Sequence, residues 1–265
     1  FLFIMTQVSS QPIGIFDSGI GGTSIFKEIH QLLPHEDIIY LADSKNAPYG
    51  YKSKEEIIAL SKKNTELLLA QGCKIIVVAC NTATVNAIDV LRSTYNVTFI
   101  GIEPAIKPAA LNSKNKAVGI LATKGTLSSE LFHKTSELFA KNIEVIEVIG
   151  AGLVEAIEQG NIDQASTKQL LSKLLQPMLH RNIDYLVLGC SHYPYLIPLL
   201  HELLPKDVVI IDSGEAVARQ TKNVLQRLSL LEKAQKKASI RFYTNRSEEI
   251  LKNFVPEFPV KYLDF

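Results

Sequence analysis

Four short apolar runs in the first half of the chain reappear in the same order in the second half, and this repetition constrains the fold more than any other feature. Ile13-Gly-Ile-Phe-Asp17-Ser18-Gly is matched by Val118-Gly-Ile-Leu-Ala-Thr123-Lys-Gly, and Ile38-Ile-Tyr-Leu-Ala-Asp43 is placed like Ile143-Glu-Val-Ile-Glu-Val, both displaced by 105 residues. Ile75-Ile-Val-Val-Ala-Cys80 matches Tyr185-Leu-Val-Leu-Gly-Cys190 at a displacement of 110, and Phe99-Ile-Gly-Ile-Glu103 matches Val208-Val-Ile-Ile-Asp212 at 109. Each run is followed by a longer segment of helical period, the pattern of βαβ units around a parallel sheet. The chain is therefore expected to be an α/β protein of two similar domains, each a parallel sheet flanked by helices, with the active site in the cleft between them.

The helices carry their own start signals. Ser53-Lys-Glu-Glu56 has the spacing of a capping box before an apolar-periodic segment that ends near Gly72. Thr167 to Leu179 places Leu170, Leu171, Leu174 and Leu175 on one helical stripe, with Pro177 expected to weaken its last turn. After Asp212 a helical segment from 214 to 231 precedes strand candidates at Ile240–Tyr243 and Val260–Leu263. These would complete the first sheet, giving a discontinuous first domain (1–104 plus 214–265), a second domain (105–213) and a hinge near residues 104 and 213.

Charge and composition exclude several classes. With 28 basic and 27 acidic residues scattered along the chain, the net charge is +1 and there is no electrostatic footprint for nucleic acid or an anionic membrane. The densest basic stretch, Lys233-Ala-Gln-Lys236-Lys237, reads as a solvated helix end. No run approaches the roughly 18 apolar residues of a membrane span, so the expectation is a soluble cytoplasmic protein. Phe1-Leu-Phe-Ile-Met5 is too short and lacks the flanks of a signal peptide; it is set aside, with Met5 a candidate natural start. Three cysteines in apolar settings suit free thiols rather than a disulfide framework.

Two of those cysteines occupy equivalent places in the repeat. A thiol at the end of a buried parallel strand points into the crevice where open α/β sheets bind ligands, so Cys80 and Cys190 could face one substrate from opposite sides. Inverting a stereocentre requires two opposed proton-transfer groups of that kind. A single strand cysteine is more often a small buried hydrophobe, and Cys73, which has no counterpart, keeps that reading. Metal binding has little support: there is no Cys-x-x-Cys, and His192 alone supplies too few ligands for zinc.

Polar residues cluster after the same strands. The Asp17-Ser18-Gly-Ile-Gly-Gly22 turn could cradle a phosphate or a carboxylate at a helix N-terminus. Asp17 would repel a phosphate, but it could pair with an ammonium group. The turn lacks both the dinucleotide fingerprint and the Lys-Ser/Thr of a P-loop. Pro48-Tyr49-Gly50 reads as a turn that could also cover a small ligand. Asn81, Thr82 and Thr84 after Cys80, and Ser191 and His192 after Cys190, could cap helices and bind carboxylates at once.

Together, Ile-Phe-Asp17-Ser-Gly-Ile-Gly-Gly22, Pro48-Tyr-Gly-x-Lys-Ser53, Ala79-Cys80-Asn-Thr-Ala-Thr84 and Leu188-Gly-Cys-Ser-His-Tyr-Pro194 resemble the glutamate racemases of the cofactor-independent aspartate/glutamate racemase superfamily. The resemblance extends from Pro12 to about Leu228. It implies interconversion of L- and D-glutamate, supplying D-glutamate for peptidoglycan, by two catalytic cysteines (Cys80 and Cys190) without pyridoxal phosphate or metal. It implies substrate contacts at Asp17, Ser18, Tyr49, Gly50, Asn81, Thr82, Ser191 and His192, and a homodimer. Ser191 stands where the family usually has threonine, which keeps the hydroxyl and drops a methyl. An acidic helper for Cys190 falls on Glu155 or Glu158. Asp17 is expected to assist Cys80, and His192 to assist Cys190.

Two other readings compete. An aspartate racemase or another isomerase of the superfamily is the nearer one: the Asp-Ser-Gly-Ile-Gly-Gly and Pro-Tyr-Gly motifs favour glutamate, while pocket volume sets the substrate's chain length. A non-catalytic ligand clamp could use the same two lobes. Cysteine-to-serine variants separate the clamp from the enzyme.

Overall fold

Long apolar runs without alternation mark strands covered on both faces, and the chain places them so. The computed structural model describes residues 9–265, so the Phe1–Met5 segment lies outside the described residues. The first half runs β1 (Ile13–Asp17), α1 (Thr23–Leu32), β2 (Ile38–Ala42), α2 (Lys54–Ala70), β3 (Ile75–Val78), α3 (Asn81–Thr94) and β4 (Thr98–Gly101). The second half follows as α4 (Ile106–Asn112), β5 (Ala117–Ala122), α5 (Lys124–Leu127), α6 (Glu130–Phe139), β6 (Glu144–Ile149), α7 (Leu153–Glu158), α8 (Ala165–His180), β7 (Tyr185–Gly189), α9 (Ile197–Leu203) and β8 (Val209–Ile211). The chain ends with α10 (Gly214–Arg227), β9 (Ile240–Thr244), α11 (Glu248–Phe254) and β10 (Val260–Tyr262).

The repeat seen in the sequence is a repeat of topology. One sheet has the order β10-β9-β2-β1-β3-β4 and the other β6-β5-β7-β8, so β2-β1-β3-β4 and β6-β5-β7-β8 are the same arrangement, parallel throughout. The last two strands extend the first sheet beyond β2, as the sequence pattern anticipated. In each sheet the strand order reverses beside the strand that comes first in the chain. The carboxyl ends of β1 and β3, and of β5 and β7, therefore open onto a crevice at a topological switch point. Asp17 and Cys80 end the first pair; Thr123 and Cys190 end the second.

Burial follows position. Every residue of β1, β2, β3 and β5 is buried, whereas the edge strand β6 has only exposed and half-buried residues. One apolar cluster includes Ile13, Ile20 and Tyr40 of the first lobe together with Leu153, Val154, Ile157 and Leu188 of the second. A second packs α2 and α3 on the other face of the first sheet.

Helix α8 spans the expected stripe and includes Pro177, with Leu171, Leu175 and Met178 buried. Two local expectations are corrected. Helix α10 stops at Arg227 rather than 231, with Ser229 at φ 57° just beyond. The basic stretch 233–237 is consequently not a helix end. Lys236 there bonds Asp37 Oδ2 at 2.7 Å and lies 3.6 Å from Glu232. Among the described residues no helix is long and apolar enough to cross a membrane.

Candidate active site

The two cysteines end equivalent strands but meet different neighbours. Cys80 is the N-cap of α3: its Sγ accepts the Ala83 backbone N–H at 3.4 Å and donates to Ser18 Oγ at 3.6 Å. A helix N-terminus favours a thiolate. Burial and the nearby Asp17 charge act against it and win, so the Cys80 pKa is raised. Cys190 Sγ lies 3.8 Å from His192 Nδ1, and His192 Nε2 is 2.7 Å from Glu158 Oε1. Burial disfavours the imidazolium, but the bonds to Cys190 and Glu158 and the charge of Asp17 outweigh it, so the His192 pKa stands well above its ordinary value. The three groups form a chain of hydrogen-bond contacts from carboxylate to imidazole to sulfur.

Asp17 does not bond Cys80. Its Oδ2 accepts the Gly19 N–H at 2.9 Å and its Oδ1 accepts Ser191 Oγ–H at 3.0 Å, so this carboxylate crosses from one lobe to the residue beside the other thiol. Burial raises its pKa, against the lowering effects of His192 and of the Gly22 and Gly19 N–H groups. The sequence expectation that Asp17 assists Cys80 meets a geometry in which Ser18 and the α3 N-terminus are the groups touching that sulfur.

The glycines of the 17–22 turn make room for the second lobe. A Cβ on Gly19 would fall 1.8 Å from Glu158 Oε1, and one on Gly21 would fall 2.2 Å from His192 Nδ1. Glu158 Oε1 also accepts the Ile20 N–H at 2.7 Å, and Tyr40 Oη donates to the Gly19 carbonyl at 2.9 Å. A turn that could have been read as an anion cradle is here a socket for the Glu158–His192 pair.

Other expected residues sort by what their polar atoms do. Asn81 is buried, and neither its Oδ1 nor its Nδ2 bonds another protein group. Thr82 Oγ1 reaches across the cleft to Thr123 Oγ1 at 2.8 Å and Thr126 Oγ1 at 3.3 Å. Thr84 is spent within its own lobe, bonding the Val78 carbonyl and the Ile102 N–H. Tyr49 Oη donates to Asp43 Oδ2 at 2.6 Å and accepts from Asn64 Nδ2 at 3.2 Å, so its hydroxyl is committed to its own lobe. Gly50 lies against the second lobe, where an added Cβ would sit 2.8 Å from Thr123 Cβ.

Thr123 and Thr126 were not singled out from the sequence. A signal existed, because Thr123 is the counterpart of Ser18 in the 105-residue repeat. Between the two acidic candidates, Glu158 is buried against His192 while Glu155 is half-exposed at the cleft mouth. Two cavities between the lobes, lined by residues such as Pro48, Tyr51, Glu155 and Arg246, hold only about 10 and 40 Å³, and Cys80 and Cys190 are both buried.

Known proteins share the sequence pattern and the fold. Residues 13–221 match the family model for Asp/Glu/hydantoin racemase. A glutamate racemase from Herpetosiphon aurantiacus is 44% identical over 238 residues, 90% of this chain and 94% of that protein. The crystal structure of Escherichia coli glutamate racemase with L-glutamate and the activator UDP-MurNAc-ala superposes with a TM-score of 0.86 at 31% identity, covering 95% of this chain and 97% of that one. The Francisella tularensis glutamate racemase, solved with D-glutamate, gives 0.83 at 28% identity over 96% and 98%. By its sequence and its two-lobed fold, the chain belongs to the Asp/Glu/hydantoin racemase family, among the glutamate racemases.

Proposed function

We propose that the protein interconverts L- and D-glutamate by acid–base chemistry between Cys80 and Cys190, without a cofactor. The observation that carries this reading is the pair of equivalent strand-end thiols in one closed cleft, each with its own polar neighbours. A thiolate on one side would take the α-proton, leaving a carbanion; the thiol on the other side would deliver its proton to the opposite face, ending as the thiolate. The unpartnered Asn81 amide, with Ser18, Thr82 and Ser191, would bind the substrate carboxylates and stabilise charge as it develops. Glu158 would hold the His192 ring by Nε2 and favour its protonated form, so that Nδ1 faces Cys190.

The lobes that close on the substrate are residues 1–104 with 214–265, and residues 105–213. The biological setting that fits this reaction is a cytoplasmic homodimer supplying D-glutamate for peptidoglycan.

Circular dichroism of L- and D-glutamate incubated with the protein tests the reading, with aspartate as the comparison. Glutamate should racemise from either side. In deuterated water Cys80→Ser and Cys190→Ser should each nearly abolish racemisation while still exchanging the α-proton of one enantiomer, a different one for each variant. Faster turnover of aspartate, or full activity in both serine variants, overturns it.

A further inference from the structure

Asn245 follows β9, beyond the residues 13–221 covered by the family match, and is buried. Its amide is fully used. Oδ1 accepts the Lys45 backbone N–H at 2.8 Å, and Nδ2 donates to Asp43 Oδ1 at 2.5 Å and to the Phe265 carbonyl at 3.0 Å. Asp43 is the hub of the next layer. Its Oδ1 also accepts Asn46 Nδ2 at 2.7 Å, its Oδ2 accepts the Tyr49 hydroxyl at 2.6 Å, and its backbone N–H donates to the Asp17 carbonyl at 3.0 Å.

We propose that Asn245 is a positioning residue for the reaction, acting through Asp43 to hold the Tyr49–Gly50 turn against the second lobe. The inference rests on the racemase reading above. Tyr49 spends its hydroxyl on Asp43 and Asn64, so what the turn offers a substrate is its backbone, and its placement depends on what holds that ring. Gly50 packs so closely on Thr123 that a Cβ would not fit, and a displacement of the turn is therefore felt at the contact between lobes. Only an amide supplies both parts of the lock: an acceptor for Lys45 and donors for Asp43 and Phe265. A carboxylate at 245 would meet Asp43 as a like charge, and an alkyl group would leave buried polar atoms unpaired.

Steady-state kinetics in both directions on wild type, Asn245→Ala, Asn245→Asp and Glu248→Ala, each well below its own Tm, test the proposal. Glu248 is an exposed control: it accepts the Tyr262 backbone N–H, so its loss loosens the neighbouring strand β10 without touching Asp43. Asn245→Ala should raise KM for glutamate about tenfold, the size of one lost buried bond to a charged group, with a much smaller change in kcat. Glu248→Ala should lower Tm but leave KM unchanged. In Asn245→Asp the two carboxylates would share a proton at acidic pH, restoring the donor. That proton replaces the donor to Asp43 but not the one to Phe265, so its KM should fall part of the way to the wild-type value there and rise with pH, whereas the Asn245→Ala deficit stays flat.

If wild type turns over glutamate and both Asn245 variants behave as Glu248→Ala does, the positioning role is overturned and the racemase reading stands. If wild type racemises no glutamate, both fall together.

Discussion

The two thiols share a strand position and differ in what touches them, and the difference has a thermodynamic limit. L- and D-glutamate have equal free energy in an achiral solvent, so the two directions must keep equal kcat/KM in every variant. Unequal activation of Cys80 and Cys190 can therefore appear only in the separate kcat and KM values, or in proton exchange. His192 gives the asymmetry a pH signature. Its pKa is raised from 6.5 in the folded state by Cys190, Glu158 and Asp17 despite the opposing effect of burial. A raised histidine pKa means the folded state binds the proton more tightly than the unfolded one. The stabilisation it contributes is full below about pH 6.5, the unfolded value, and is lost as pH rises through the folded value. Unfolding by denaturant of wild type and His192→Gln across this range should show a stability gap that narrows with rising pH. A gap that widens would mean that His192 is buried neutral and that the chain of contacts to Cys190 is misassigned.

At the scale of elements, the site depends on helices that begin where the sequence says they should. Helix α2 is started by a complete capping box: Ser53 Oγ accepts the Glu56 N–H at 3.2 Å and Glu56 Oε2 accepts the Ser53 N–H at 2.8 Å. Ser53→Ala should cost about 1 kcal/mol, a fall in Tm of roughly 2–4 °C, measurable by calorimetry, with KM unchanged because Asn64 lies further along the helix. Such local signals, and the strand repeat, made the two parallel sheets and the paired cysteines legible from sequence, whereas the order of strands within each sheet came from the structure. Thr123 was legible too, through its register with Ser18. Glu158 was not separable from Glu155, because residues three apart share one helical face and only packing against His192 and Ile20, the latter 138 residues away, distinguishes them. Asn245 carried no signal at all: its partner Asp43 lies 202 residues earlier, and an asparagine after a strand reads simply as a turn.

The whole molecule closes over its own chemistry, so access to the thiols is a property of the lobes rather than of any side chain. On one side the Thr82 hydroxyl meets Thr123 and Thr126, and Asn86 Nδ2 donates to the Gly125 carbonyl at 3.1 Å. At the two chain crossings, Ser213 Oγ donates to the Glu103 carbonyl at 2.5 Å. For a substrate to enter between the lobes, the first set, the clasp, would have to break together with the Asp17–Ser191 and Ile20–Glu158 bonds, with the second set serving as the hinge. Cys80 and Cys190 are only 4% and 6% exposed, so a thiol reagent must wait for the clasp to open. Alkylation followed by mass spectrometry should find both cysteines reacting slowly, more slowly with glutamate bound, and faster in Thr123→Val, which removes the hydroxyl from the clasp at nearly constant volume. Cys73 is the internal reference. It is buried beneath α2 beside Gly14, with its pKa pushed up to about 12 mainly by burial, and its labelling follows unfolding of the first lobe rather than movement between lobes. Glutamate should slow Cys80 and Cys190 far more than Cys73. Equal protection of all three would mean that the ligand stabilises the fold as a whole and that the thiols are not reached by parting the lobes.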